Sequence, residues 1–174
     1  GNWVLQGILY LGDKRIITPI GLPYLHPDEA VKSHSQGKEY TLEGCTKNEI
    51  EMAVKNGLEI KTSDLNSNGH LVIPCRDFGL NQYALSLFGG KGTEKEQSKR
   101  AETSGAWLIN SPKNLREIVV YLDGQEYSKE VGKNYASQMW FRGLVFRSGL
   151  FGDRDWGRGL LYGGVLGVFD SAES

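Results

Sequence analysis

Three residues of this chain have the types and spacing of a metal-dependent hydrolytic site. Glu59 stands two positions before Lys61 in Leu58-Glu59-Ile60-Lys61-Thr62-Ser63, and Asp28 follows Pro27 earlier in the chain. Two such carboxylates can hold Mg²⁺ while a neighbouring lysine orients the attacking water. A second stretch that can do chemistry begins at the same place. Between the apolar positions Leu58 and Ile60 and the apolar run Leu71-Val72-Ile73 lies a polar bend of Ser, Asn, Asp and Gly, and Pro74 stops the second run. The alternation and the turn residues predict two strands joined by a long polar arm. Function is expected on that arm.

An acid followed by acid-x-Lys on a strand is the pattern of Mg²⁺-dependent PD-(D/E)xK nucleases, and this makes a nuclease built on Asp28, Glu59 and Lys61 the rival reading. Against it, Asp28 sits in a helix-start context, and acid-x-Lys on an exposed strand is common by chance. Other candidates carry less. Phe88-Gly89-Gly90-Lys91-Gly92-Thr93 approaches a phosphate-binding loop, but Leu85 stands where that loop needs Gly and Gly92 where it needs a hydroxyl. Asp77-Phe78-Gly79 has the kinase tripeptide without the loops that give it meaning. His26, His34 and His70 are tied to no nucleophile, so surface side chains are expected, with His70 set apart by its place at the base of the arm. Cys45 and Cys75 form neither a zinc pattern nor a disulfide framework, although a single pair can form in an oxidising compartment.

The elements that must position these residues follow from periodicity. Residues 3–20 alternate around Gly12-Asp13-Lys14-Arg15 and predict a hairpin. His26-Pro27-Asp28-Glu29 opens a short helix, and Tyr40–Leu42 a short strand. Thr46-Lys47-Asn48-Glu49 has capping-box spacing, with Ile50, Ala53 and Val54 as one apolar helix face before Gly57. Asp77 to Phe88 reads as a helix with Leu80, Ala84, Leu87 and Phe88 on one side; a strand over Tyr83–Phe88 is the alternative. Lys91 to Glu102 is charged and reads as a solvated loop or loose helix. Ala106–Ile109 and Ile118–Leu122 read as strands, the latter running into the turn Asp123-Gly124. Met139–Phe146, Leu160–Leu161 and Val165–Phe169 follow as short strands in an aromatic, glycine-rich segment.

Lys61-Thr62-Ser63-Asp64-Leu65, the polar bend, and Leu71-Val72-Ile73-Pro74 before a short helix resemble the start of a B3-type DNA-binding domain, over about 17 residues (58–74). That family includes plant transcription factors and the N-terminal DNA-recognition domains of some restriction endonucleases. Residue 75, where the family has Lys or Ser, is Cys here. The resemblance implies a mainly β (α+β) fold, an open pseudobarrel of about seven strands with two or three short helices, a partly open barrel of the kind that puts loops to binding use. It also implies one domain over 1–174, with an N-terminal extension of hairpin and helices at 1–56 and the DNA-binding pseudobarrel at 57–174. By the same resemblance two loops enter the major groove of double-stranded DNA. The first carries Lys61, Thr62, Ser63, Asn66, Asn68 and His70; the second lies between Gly132 and Arg147, with Lys133, Asn134, Arg142 and Arg147. These residue types suit the task, since Asn pairs with adenine, Arg, Lys and His with guanine, and hydroxyls with base edges or phosphates.

Composition bounds the reading. The 174 residues carry a formal charge of −1, with 23 glycines and 39% hydrophobic residues, which favours short strands and turns over a helix bundle. Near-neutral charge argues against holding polyanions by bulk attraction, although a basic excess lies late in the chain, at Arg142, Arg147, Arg154 and Arg158. No run of about 18 apolar residues marks a membrane span, the start lacks a signal-peptide shape, and the expectation is a cytoplasmic protein. The reading favours the non-catalytic, target-recognition domain of a restriction endonuclease. It needs no cofactor and partners double-stranded DNA, with a catalytic domain elsewhere in the parent protein. A β-rich domain that binds a protein or small ligand through the aromatic segment at 135–162 is the third reading.

Overall fold

Two strands open the chain because Gly12-Asp13 makes a two-residue turn between alternating apolar runs. β1 (Asn2–Leu11) and β2 (Lys14–Ile20) pair antiparallel from Leu11↔Lys14 to Leu5↔Ile20. Gly12 has φ of +60°, and a Gly with positive φ at the first central position is what a II′ hairpin needs. A computed structural model describes residues 2–20, 47–124, 135–143, 148–151, 163–165 and 167–170. Both faces of the hairpin are covered. Ile8, Tyr10 and Ile17 enter the main core, while Leu9 and Ile16 form a smaller cluster with Ala53.

Ala53 belongs to α1 (Lys47–Asn56), the helix expected from the capping box. The Thr18 hydroxyl donates to the Ala53 carbonyl at 3.1 Å, which docks α1 on β2. Val54, expected on the apolar face, is exposed instead. At the helix end Gly57 lies so close to Ile16 that a β-carbon there would stand 2.4 Å from its Cγ2.

The strands form two sheets. In the first, β3 (Leu58–Glu59) pairs with β2 on one side. On the other side β10 (Gly167–Asp170) and β6 (Tyr135–Gln138) pair in succession along β1. The second sheet runs β4-β5-β8-β7-β9, from β4 (Leu71–Pro74) and β5 (Glu117–Tyr121) to β8 (Ser148–Phe151), β7 (Trp140–Gly143) and β9 (Gly163–Val165). Only β5 and β8 in it are parallel. Met139, fully buried, is all that separates β6 in the first sheet from β7 in the second. One residue likewise separates β9 in the second sheet from β10 in the first.

The fold is therefore mixed α+β, and among the described residues no closed barrel forms. Within the stretch expected as an N-terminal extension, 1–56, β1 and β2 are hydrogen-bonded to β3, β6 and β10 of the following stretch. The expected short helix at 26–29 and strands at 40–42 and 160–161 lie outside the described residues. No helix among the described residues is long and apolar enough to cross a membrane.

Between β4 and β5 the chain turns helical. A 3-10 turn, Cys75–Asp77, leads to α2 (Gln82–Phe88), whose N-cap Asn81 accepts from the N–H groups of Tyr83 and Ala84. The helix begins later than expected, and Leu80 is 88% exposed instead of lying on its apolar face. Phe78 takes that place in the core and stacks on Phe88 at 4.9 Å. α3 (Glu94–Asn110) takes the helical of the two alternatives expected over 91–102 and overturns the strand expected at 106–109. Thr93 and Glu96 form a capping box at its start, and Ala101, Gly105 and Leu108 make a narrow buried stripe. The stripe is too thin to stand out among charges, yet it suffices because Gly105 lets the helix lie directly on the Cys75 carbonyl.

Candidate nucleic-acid interface

The arm leaves the first sheet at β3 and enters the second at β4, so it spans the two sheets and is not the tip of a hairpin. Ile60 anchors its start: the side chain is buried and the N–H donates to the Arg15 carbonyl at 2.8 Å. Lys61, Thr62 and Ser63 then stand exposed on a single 3-10 turn, Thr62–Asp64. An isolated bridge, Leu65↔Leu71, closes the loop Asn66–His70.

Asn66 organises that loop. Its Oδ1 accepts from the N–H groups of Asn68 and His70, both at 3.0 Å, and its N–H donates to the His70 carbonyl at 2.8 Å. This is the side-chain-to-backbone bonding by which Asn favours turns. Gly69 supplies the positive φ, +77°, that the reversal requires. Asn66 is exposed, but its carbonyl oxygen is committed to the loop; Asn68, also exposed, contributes only backbone to this turn.

Two contacts brace the arm from behind. The Tyr83 hydroxyl accepts the Lys61 N–H at 3.2 Å and donates to Asp64 Oδ2 at 2.5 Å. Burial first, and the bond to Asp64 second, raise the Tyr83 pKa above the ordinary phenol value. At the other end His70 Nδ1 accepts the Leu122 N–H at 3.2 Å, and its ring meets Tyr121 edge-on at 5.0 Å. That bond makes Nδ1 the unprotonated nitrogen of a neutral ring and leaves the proton on Nε2.

The ten expected site residues thus divide. Lys61, Thr62, Ser63, Asn66, Asn68 and His70 are brought together on the arm. Of the second loop, Lys133, Asn134 and Arg147 lie outside the described residues. Arg142 is on β7, in register with Gly149 of β8 and Gly163 of β9. For the metal alternative, Glu59 and Lys61 are both exposed at the exit of β3, and Asp28 lies outside the described residues. No group of three His, Cys, Asp or Glu side chains placed to hold a metal occurs among the described residues.

The rejected motifs have structural uses. In the glycine loop 89–92 the Arg100 Nε donates to the Gly89 carbonyl at 2.6 Å and another of its nitrogens to Lys91, while Gln97 donates to Gly90. The loop is stitched to α3 through its carbonyls. Cys75 is a free, buried thiol, its pKa raised by burial and then by Glu117, so it is not poised as a nucleophile. Cys45 lies outside the described residues. Sequence reasoning missed Tyr83 and the structural role of Asn66. The spacing Asn66-x-Asn68-Gly69-His70 was a signal for the second, whereas nothing local marks a core-facing Tyr as the brace of a loop nineteen residues away. Comparison of the chain with protein-family models, curated proteins and solved structures finds no match.

Proposed function

We propose that this chain is a sequence-specific double-stranded DNA-binding domain that works through two loops in the major groove, as the target-recognition part of a restriction endonuclease. The observation that carries the reading is the arm at 61–70. Lys61, Thr62, Ser63 and Asn68 point donors and acceptors to solvent from a backbone pinned by Asn66, Tyr83 and Leu122. A polar surface loop without a task has no need of three independent braces. A recognition loop does, because ordering it before binding lowers the entropy cost of the complex.

The architecture suits the same reading. Two sheets linked through Met139 between β6 and β7, and by the arm itself, are compatible with the open pseudobarrel that this reading calls for. Each well-formed bidentate contact from such an arm gives about 1–3 kcal/mol of discrimination between bases. With a formal charge of −1 the domain contacts few phosphates and has a shallow salt dependence. It needs no metal and cleaves nothing by itself.

Selection from a random duplex library, followed by titration of the enriched site at low salt, tests the proposal. A recovered consensus supports it. Loss of that preference on Asn68→Ala, with the fold intact, ties it to the arm. Mg²⁺-dependent cleavage of supercoiled plasmid that Glu59→Ala abolishes would instead establish the nuclease reading. Absence of any duplex binding at low salt would leave the protein- or ligand-binding reading in its place.

A further inference from the structure

Residue type alone sets His70 among the base-contacting side chains of the arm, with guanine as its partner. Its ring is engaged on the other side. The β4–β5 ladder ends at Leu71↔Val120. Continued by one step, that register sets His70 opposite Tyr121, and the two rings meet edge-on at 5.0 Å. At Gly69, which a further step would set opposite Leu122, the backbone instead reverses with φ of +77° and its N–H bonds to the Asn66 carbonyl. Leu122 is only 4% exposed, and a buried N–H left without an acceptor is costly. The Nδ1 of His70 supplies that acceptor, at 3.2 Å.

Leu122 is a firm post for the arm. The next amide along the chain, that of Asp123, donates to the Tyr10 hydroxyl at 3.1 Å, and Tyr10 is buried on β1. The exit of β5 is thus held to the first sheet by one amide and holds the arm by the amide before it. On the arm, the backbone of His70 closes the loop: its N–H donates to Asn66 Oδ1 and its carbonyl accepts the Asn66 N–H. A single residue therefore joins the loop that carries Asn68 to the end of a core strand.

We infer that His70 governs sequence preference without touching a base, as the positioning residue that fixes through Nδ1 where Asn68 stands relative to β5. The inference rests on the DNA-binding reading and replaces the direct contact expected of His70. Placement matters because a recognition side chain must be held within about 0.5 Å of its productive geometry by supporting hydrogen bonds.

Asn and Gln separate the two ring nitrogens. Nδ1 is bonded to Cγ, as Oδ1 is in Asn, whereas Nε2 lies one atom further out, as Oε1 does in Gln. The test compares His70→Asn and His70→Gln with the wild-type chain at about pH 8, where an imidazole is neutral. Selection from a random duplex library reads preference, and amide hydrogen exchange of the free protein reads the arm. His70→Asn is expected to keep slow exchange at Leu122 and Asn68 and the wild-type preferred sequence. In His70→Gln, exchange at Leu122 should quicken about tenfold, and the affinity ratio of preferred over random duplex should fall about tenfold, the scale of one lost hydrogen bond. Preference kept by Gln and lost by Asn would assign Nε2 a base contact and overturn the inference, and so would preference kept or lost alike in both. If the wild-type chain prefers no duplex, the DNA reading fails, and exchange alone decides whether His70 positions the arm. Slow exchange at Leu122 and Asn68 in His70→Asn but not in His70→Gln upholds that role; any other pattern removes it.

Discussion

The Tyr83 hydroxyl donates to the Asp64 carboxylate at 2.5 Å and so ties the arm to the core helix α2. Tyr83 is 3% exposed, so the hydroxyl sits at the boundary between the packed interior and the polar turn. Because it also accepts the Lys61 N–H, it holds both ends of the turn that presents Thr62 and Ser63. Tyr83→Phe keeps the ring and removes both bonds. It is expected to lower unfolding free energy by about 1–2 kcal/mol and to weaken duplex binding. Denaturant unfolding beside duplex titration checks it, and Asp64→Asn, which keeps an acceptor oxygen, should cost less in both.

The same pair gives a pH dependence. Burial and the Asp64 bond raise the folded-state pKa of Tyr83 above its unfolded value near 10, so the neutral phenol is favoured by folding. A raised pKa contributes stability that is full below the unfolded pKa and is lost as pH rises through the folded one. Stability should therefore fall at strongly alkaline pH by more in wild type than in Tyr83→Phe. Equal alkaline loss in both chains, measured by thermal unfolding, would remove Tyr83 from the account.

The hairpin, α1 and the strands flanking the arm are legible in sequence because each is signalled locally: Gly12 at a turn, capping-box spacing, Pro74 at a strand end. What sequence hides is pairing. Leu58 and Leu71 look like the two arms of one hairpin, yet β2 and β5 capture them into different sheets. α3 is hidden for another reason, since its buried stripe of Ala101, Gly105 and Leu108 is made of small residues and one Leu, with Trp107 left 67% exposed. On the arm, residue types point to recognition. They do not separate Asn68, which faces outward, from Asn66, whose oxygen is spent on the loop.

Gly105 is where α3 touches the turn after β4, and a β-carbon there would stand 2.2 Å from the Cys75 carbonyl oxygen. Backbone on both sides leaves nothing flexible to yield. Gly105→Ala is expected to destabilise by about 3 kcal/mol, the upper part of the range for overpacking, despite the better helix propensity of Ala. Thermal unfolding of the single variant decides it, and a neutral result would mean that α3 can slide.

The start of α3 adds an acid-sensitive element. The backbone N–H of Thr93, then its hydroxyl, hydrogen-bond Glu96 and hold its carboxyl below the usual pKa. A depressed folded-state pKa contributes stability above the unfolded value that is lost as pH falls through the folded one. Thr93→Ala should cost about 1 kcal/mol at neutral pH, as N-cap losses do, and the deficit against wild type should shrink in acid. A deficit that stays constant from neutral to acid pH would separate the cap from Glu96.

Asn66 offers the sharpest separation of arm geometry from arm chemistry. Its Oδ1 accepts two N–H groups inside the loop, those of Asn68 and His70, and an aspartate oxygen in the same place can accept both. Asn66→Ala removes the acceptor and frees the backbone that carries Asn68. Asn66→Asp restores the acceptor but adds a negative charge to a face meant for DNA. If the arm acts through its shape, Asn66→Ala should lose sequence preference and speed amide exchange at Asn68 and His70. Asn66→Asp should keep slow exchange and the preferred sequence while binding more weakly at low salt, where the added charge is least screened. If the Asn66 amide itself read a base, both variants would lose preference alike, and selection with the two proteins on one duplex library distinguishes these outcomes.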